Sequence, residues 1–114
     1  MPLPSAIGFL RSDVSGARRQ WDEIQIRSAA ARLGYDLRKI VVFSATTERP
    51  VYRLRLVVDR LGIDAIVTPS IAHFDAGEVP ADLVAVVDII TLSPEHTYAR
   101  ASTPAETSGG SDFP

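Results

Sequence analysis

The chain has 114 residues, no cysteine and a formal net charge of −2; that length suits one domain around one core, and the missing thiols exclude disulfides and thiolate metal sites. The small net charge gives no global attraction to nucleic acid or an anionic membrane. With no apolar stretch near the ~20 residues a bilayer needs, and no basic n-region in "MPLPSAIGFLR" to make a secretory signal, a cytoplasmic protein without membrane partners is expected.

Residues 1–4 read as a loose start. "SAIGFL" (5–10) is short, apolar and bounded by a turn, which predicts a buried strand. "SDVSG" (12–16) reads as a loop, with Ser15 a candidate N-cap for a helix from Ala17 to Leu33 that Gly34 stops. Ile26, Ala29, Ala30 and Leu33 form one apolar stripe at i, i+3, i+4, i+7. Ala17, Trp21, Ile24 and Ala31 form a second, roughly opposite stripe. The first can cover a sheet. The second packs elsewhere in the domain or forms a subunit interface, which makes Trp21 and Ile24 candidate interface residues.

"DLRKIVVFS" (36–44) predicts a strand apolar on both faces, as in buried parallel sheets. After the loop 45–48, Pro50 stands near the start of a second helix. Leu54, Val57, Val58 and Leu61 give that helix one apolar face, and Gly62 ends it. "DAIVT" (64–68) is a third strand, 69–80 a long loop, "ADLVAVVD" (81–88) a short helix begun around Pro80, and "IITLS" (89–93) a fourth strand. "HTYAR" (96–100) extends that strand or pairs beside it. The alternation predicts a three-layer α/β domain over residues 1–100: a mostly parallel sheet of four to five strands with helices on both faces. Residues 101–114 read as a disordered polar tail. Ligands in such sheets favour the strands' carboxyl ends, here Arg11–Gly16, Ser44–Arg49 and Thr68–Ala76.

At those ends a family resemblance emerges. "IGFLRS" (7–12) resembles the first strand of the serine recombinases, the resolvases and invertases, which ends in aromatic-x-Arg and then the nucleophile. "IQIRSAAARLGYDL" (24–37) resembles their following helix, and "ERPVYRLRLVVDRLGIDAIV" (48–67) their Arg-Pro helix and third strand. The resemblance covers roughly residues 6–92. It implies a resolvase-like fold and an ancestry in DNA strand cleavage, where a serine attacks a phosphodiester and arginines stabilise the developing charge.

Residue by residue, that chemistry is depleted. Arg11 and Arg49 match two of the family's arginines and are candidate phosphate-binding residues. The nucleophile position holds Asp13, which leaves Ser12 and Ser15 as residual candidates. Where the family has Leu-Asp-Arg-Leu-x-Arg, this chain has "SIAHFD" (70–75), with Ile71 and Ala72 at the Asp-Arg pair and Asp75 near the last arginine. The family's dimerisation helix and recognition module have no counterpart in the polar stretch after residue 100.

Three expectations stand open. The first is a catalytically inactive serine-recombinase-like domain, not an enzyme, acting by self-association as a homo-oligomer or by binding a protein partner. The second is a DNA- or phosphate-binding accessory protein using Arg11, Arg49 and the basic helix faces; ten of the twelve cations lie between residues 18 and 60. The third is a residual strand-transfer enzyme using Ser12 or Ser15. No phosphate-binding glycine loop and no hydrolase triad is recognisable. His73, Asp75 and Glu78 form an H-x-D-x-x-E cluster without the spacing of a known zinc site. No metal or cofactor is expected, and His96 reads as structural or exposed.

Overall fold

The computed structural model describes residues 2–101, so the tail expected at 101–114 lies, Ala101 aside, outside the described residues. The elements are β1 (Ser5–Arg11), α1 (Ser12–Ser15), a 3-10 turn (Gly16–Arg18), α2 (Arg19–Arg32), β2 (Asp36–Phe43) and α3 (Pro50–Leu61). Then come β3 (Ala65–Thr68), 3-10 turns at Ile71–His73 and Asp75–Gly77, α4 (Ala81–Val84), β4 (Asp88–Leu92) and β5 (Glu95–Tyr98). The strand order is β2-β1-β3-β4-β5. All neighbours are parallel except the antiparallel pair β4–β5. This is the expected α/β architecture, a five-stranded, mostly parallel sheet with helices on both faces.

The pleat of β1 divides the core. Ile7 and Phe9 point to one face, where Leu54 and Val58 of α3, Phe74 and Leu83 of α4 cover them. Ala6 and Leu10 point to the other, under Ile26 and Ala29 of α2. Period-2 alternation on one strand therefore feeds two apolar layers. Gly8 lies in the α2-facing row. A Cβ there would stand 2.6 Å from Ile26 Cγ2 and 3.0 Å from Ile40 Cγ1. The missing side chain is what lets α2 approach the sheet so closely.

Several boundaries differ from the sequence reading. Residues 12–18 coil as two short helical turns, and α2 begins at Arg19. Ser15 is not an N-cap. Its own backbone is helical, and no side chain caps the following turn or α2. β2 is an edge strand, not one buried on both flanks, and its residues are exposed or half-buried. Helix α4 stops at Val84, and residues 85–87 lead into β4. Of the stretch 96–100, residues 96–98 pair beside β4 as part of β5, with Thr91 opposite His96, and the strand stops at Tyr98. Among the described residues no helix is long and apolar enough to cross a membrane.

Successive connections leave β1 on one side to β2 and return on the other at β3. That reversal opens a crevice at the carboxyl ends of β1 and β3, which positions Arg11 beside the segment that follows Thr68.

Candidate functional site

Arg11 is the last residue of β1, and four hydrogen bonds fix it there. Its backbone N–H donates to His73 Nδ1 at 2.9 Å. Its guanidinium grips Asp13 in a two-pronged pair, Nε to Oδ1 at 3.1 Å and Nη2 to Oδ2 at 2.7 Å. Nη1 donates to Asp75 Oδ1 at 3.0 Å. One cation thus faces two carboxylates, and the Arg11 side chain is only 19% exposed. The hydrogen bond to Asp13 and the nearby negative charges raise the Arg11 pKa above its ordinary value against the effect of burial. The same hydrogen bond holds the Asp13 carboxyl below the usual carboxylate range. Such a group is a net-negative clamp. It disfavours an incoming phosphate, since three of the five guanidinium N–H donors are already directed at carboxylates and the group carries net negative charge.

The segment after β3 is stapled to β1 by consecutive residues. His73 is 3% exposed, and burial lowers its pKa, so the imidazole is neutral. Because Nδ1 accepts from Arg11, the proton resides on Nε2. Phe74 stacks on Phe9 with ring centroids 5.3 Å apart. Asp75 completes the clamp. The stretch that the family resemblance assigns to catalytic cations is here occupied with holding the end of β1.

Beside the clamp is a polar cup of about 240 Å³, lined by Ser15, Arg18, Asp22, Ser70, His73 and Ser93 among others. Ser15 and Asp22 are both buried, and Ser15 Oγ donates to Asp22 Oδ2 at 2.7 Å. That bond draws α1 onto α2 and satisfies a carboxylate the sequence reading did not single out. The hydroxyl proton of Ser15 is directed at a carboxylate, and the cup it lines holds one arginine, Arg18, rather than a cluster of cations. The other residual candidate, Ser12, opens α1 directly after Arg11.

Arg49 sits elsewhere along the same edge. It precedes α3 with φ of 51°, in the left-handed region. Its guanidinium lies 4.2 Å from the centroid of the Tyr52 ring, a cation–π contact. Arg49 and Asp75 line one cleft of about 390 Å³, so the carboxylate already on Arg11 also faces the space beside Arg49.

The sequence-proposed groups divide accordingly. Arg11 and Asp75 meet. His73, Asp75 and Glu78 do not form a ligand set, and among the described residues no three His, Cys, Asp or Glu side chains are placed to hold a metal. His96 is exposed and packs edge-on against Tyr98. Trp21 and Ile24 stand outside the crevice on the outer face of α2, 54% and 55% exposed.

No family model, curated protein or solved structure matches this chain.

The site is therefore characterised by its own geometry: a closed ion-pair clamp, a neutral buried imidazole, and a hydroxyl bonded to a carboxylate.

Proposed function

We propose that this chain is a non-catalytic, serine-recombinase-like domain that works by association with a second copy of itself through the outer face of α2. The observation that carries this reading is the pair Trp21 and Ile24. They lie about one helical turn apart on the same side, and more than half of each residue's surface is open. Trp21 borders a shallow cup of about 270 Å³ whose far wall includes Pro69, Leu92 and Ser93. A large, half-exposed aromatic is the kind of residue that anchors protein interfaces.

The absence of catalysis is supported by the clamp. Strand cleavage needs a hydroxyl in front of converging cations, each contributing several kcal/mol at the transferring phosphoryl. Here Arg11 faces Asp13 and Asp75 instead. Restoring a hydroxyl alone does not repair this. Asp13→Ser incubated with supercoiled DNA gives no covalent protein–DNA band, since Arg49 is the only other matching arginine. A band with either protein would contradict the reading.

The accessory-protein alternative loses Arg11 as a phosphate holder and keeps Arg49 and the basic helix faces.

Trp21 is the sole tryptophan, so its emission reports directly on the proposed interface. The expected result is a blue-shifted spectrum at high protein concentration that moves red on dilution. A spectrum of exposed indole at every concentration would contradict self-association through this face.

A further inference from the structure

A groove lies on the other side of the sheet from α2, between the free edge of β2 and helix α3. It measures about 450 Å³ and runs along residues 39–43 of β2, with Arg53, Leu56, Val57 and Arg60 of α3 forming its second wall. β2 has a strand neighbour on one side only. Its outward N–H and C=O groups are therefore available to pair with another extended chain. The floor is apolar: Val41 and Phe43 on the strand, Leu56 and Val57 on the helix.

The rim is of one sign. Lys39, Arg53 and Arg60 line the groove, and no carboxylate lines it. Among the described residues none of the three has a carboxylate partner; Arg53 donates from Nε to the Glu48 carbonyl oxygen, and the ion pairs of α3 end with Arg55–Asp59. An open strand edge above an apolar floor with three unpaired cations specifies a complement. It is an extended peptide with alternating apolar and acidic side chains.

We propose that the β2–α3 groove is a docking site for such an acidic, extended peptide segment of a partner protein, which joins the sheet as a sixth strand beside β2. Main-chain bonds to β2 supply part of the affinity, and alternate side chains read the groove. Apolar side chains cover Leu56 and Val57, and carboxylates meet Lys39 and Arg60. A second copy of this chain is a poorer occupant. Pairing two β2 edges about a twofold axis brings both sets of Lys39, Arg53 and Arg60 into one groove with no acid between them. Lys39 and the extra residue Arg38 at the register shift between Ala6 and Ile7 also work against self-pairing, as lysines and bulges do on natural edges. Single-stranded nucleic acid fits less well, because the one aromatic in the groove, Phe43, has its ring packed against Phe9 with centroids 5.6 Å apart, and stacking platforms are what such strands require.

This inference does not rest on association through α2, which lies on the opposite face. The probe is a fluorescein-labelled octapeptide of alternating glutamate and valine, titrated with the whole chain at low salt and followed by anisotropy. Saturable binding is expected, weakening as salt is raised. On binding, outward amides of residues 39–43 gain protection from hydrogen exchange. Lys39→Glu with Arg60→Glu weakens binding about tenfold or more through like-charge repulsion, and Leu56→Ser weakens it through the floor. Both variants alter exposed residues, and unchanged circular dichroism shows that they fold. Trp21→Ala leaves peptide binding intact, which separates this site from the α2 interface. No binding at low salt overturns the proposal, as does binding that the Lys39/Arg60 variant leaves unchanged. Displacement of the peptide by a labelled oligothymidylate makes the groove a nucleic-acid site instead, and peptide-independent protection that grows with protein concentration makes it a contact between copies.

Discussion

His73 accepts the Arg11 N–H through Nδ1 and is buried beside Asp22, Arg11 and Asp13, with burial the main cause of its lowered pKa. The unfolded chain therefore takes up this proton at higher pH than the folded one, and stability falls as pH drops through and below the ordinary histidine value of about 6.5. The loss is bounded by one proton, at most about 1.4 kcal/mol per pH unit. Urea midpoints measured between pH 8 and 5 are expected to show this decline in the wild type and less of it in His73→Gln. Asp13 contributes in a lower window: its folded pKa is depressed, so its share is present above the ordinary carboxylate range and disappears as pH falls through the depressed value. Ser15→Ala removes the hydroxyl that donates to buried Asp22. The variant is expected to be less stable by about 1–3 kcal/mol, the range for leaving a buried acceptor unsatisfied, read from thermal melts. These partnerships were only partly legible in the sequence. Arg11 and Asp75 were each conspicuous, but 64 residues separate them, and no local pattern announces that they meet. Asp22 carried no signal at all, because its partner Ser15 lies seven residues back, across the break between α1 and α2, where helical periodicity does not apply.

At the scale of elements, the close seat of α2 on the sheet depends on Gly8. A methyl group there meets Ile26 and Ile40 well inside normal contact distance, and both belong to the packed interior. Gly8→Ala is expected to destabilise by about 1–3 kcal/mol, as overpacking does. Leu54→Ala on α3 opens the opposite layer, where Leu54 is fully buried; a loss of about 2–5 kcal/mol is expected by chemical denaturation. Most of the predicted apolar stripes are covered: Ile26, Ala29, Ala30, Leu54 and Val58 are buried and Val57 and Leu61 half-buried, but Leu33, just past the end of α2, is 37% exposed. What the sequence left undetermined was edge position. The run "IVVF" in β2 has the same β-branched character as "AIVT" in β3, yet one strand is flanked once and the other twice. Side-chain composition reports how much each face is covered by helices, and it is silent about how many strands flank an edge. Composition also misled at residues 12–16, where serine and glycine suggested a loop but Ser12–Ser15 form a helical turn.

For the whole molecule, the two helical layers leave two different surfaces. One is the outer side of α2 with Trp21 and Ile24; the other is the cationic groove between β2 and α3. At the crevice at the strand ends, where α/β domains usually hold ligands, Arg11 is held by Asp13 and Asp75. The proposal that the chain acts by contact with macromolecules rests on that distribution. The most direct test of this account is the mass of the chain in solution by sedimentation velocity, compared between wild type and Trp21→Ala over a wide concentration range. A wild-type dimer that becomes a monomer on the substitution is the predicted result. A wild-type monomer at the highest concentration, or a dimer indifferent to Trp21, would contradict it.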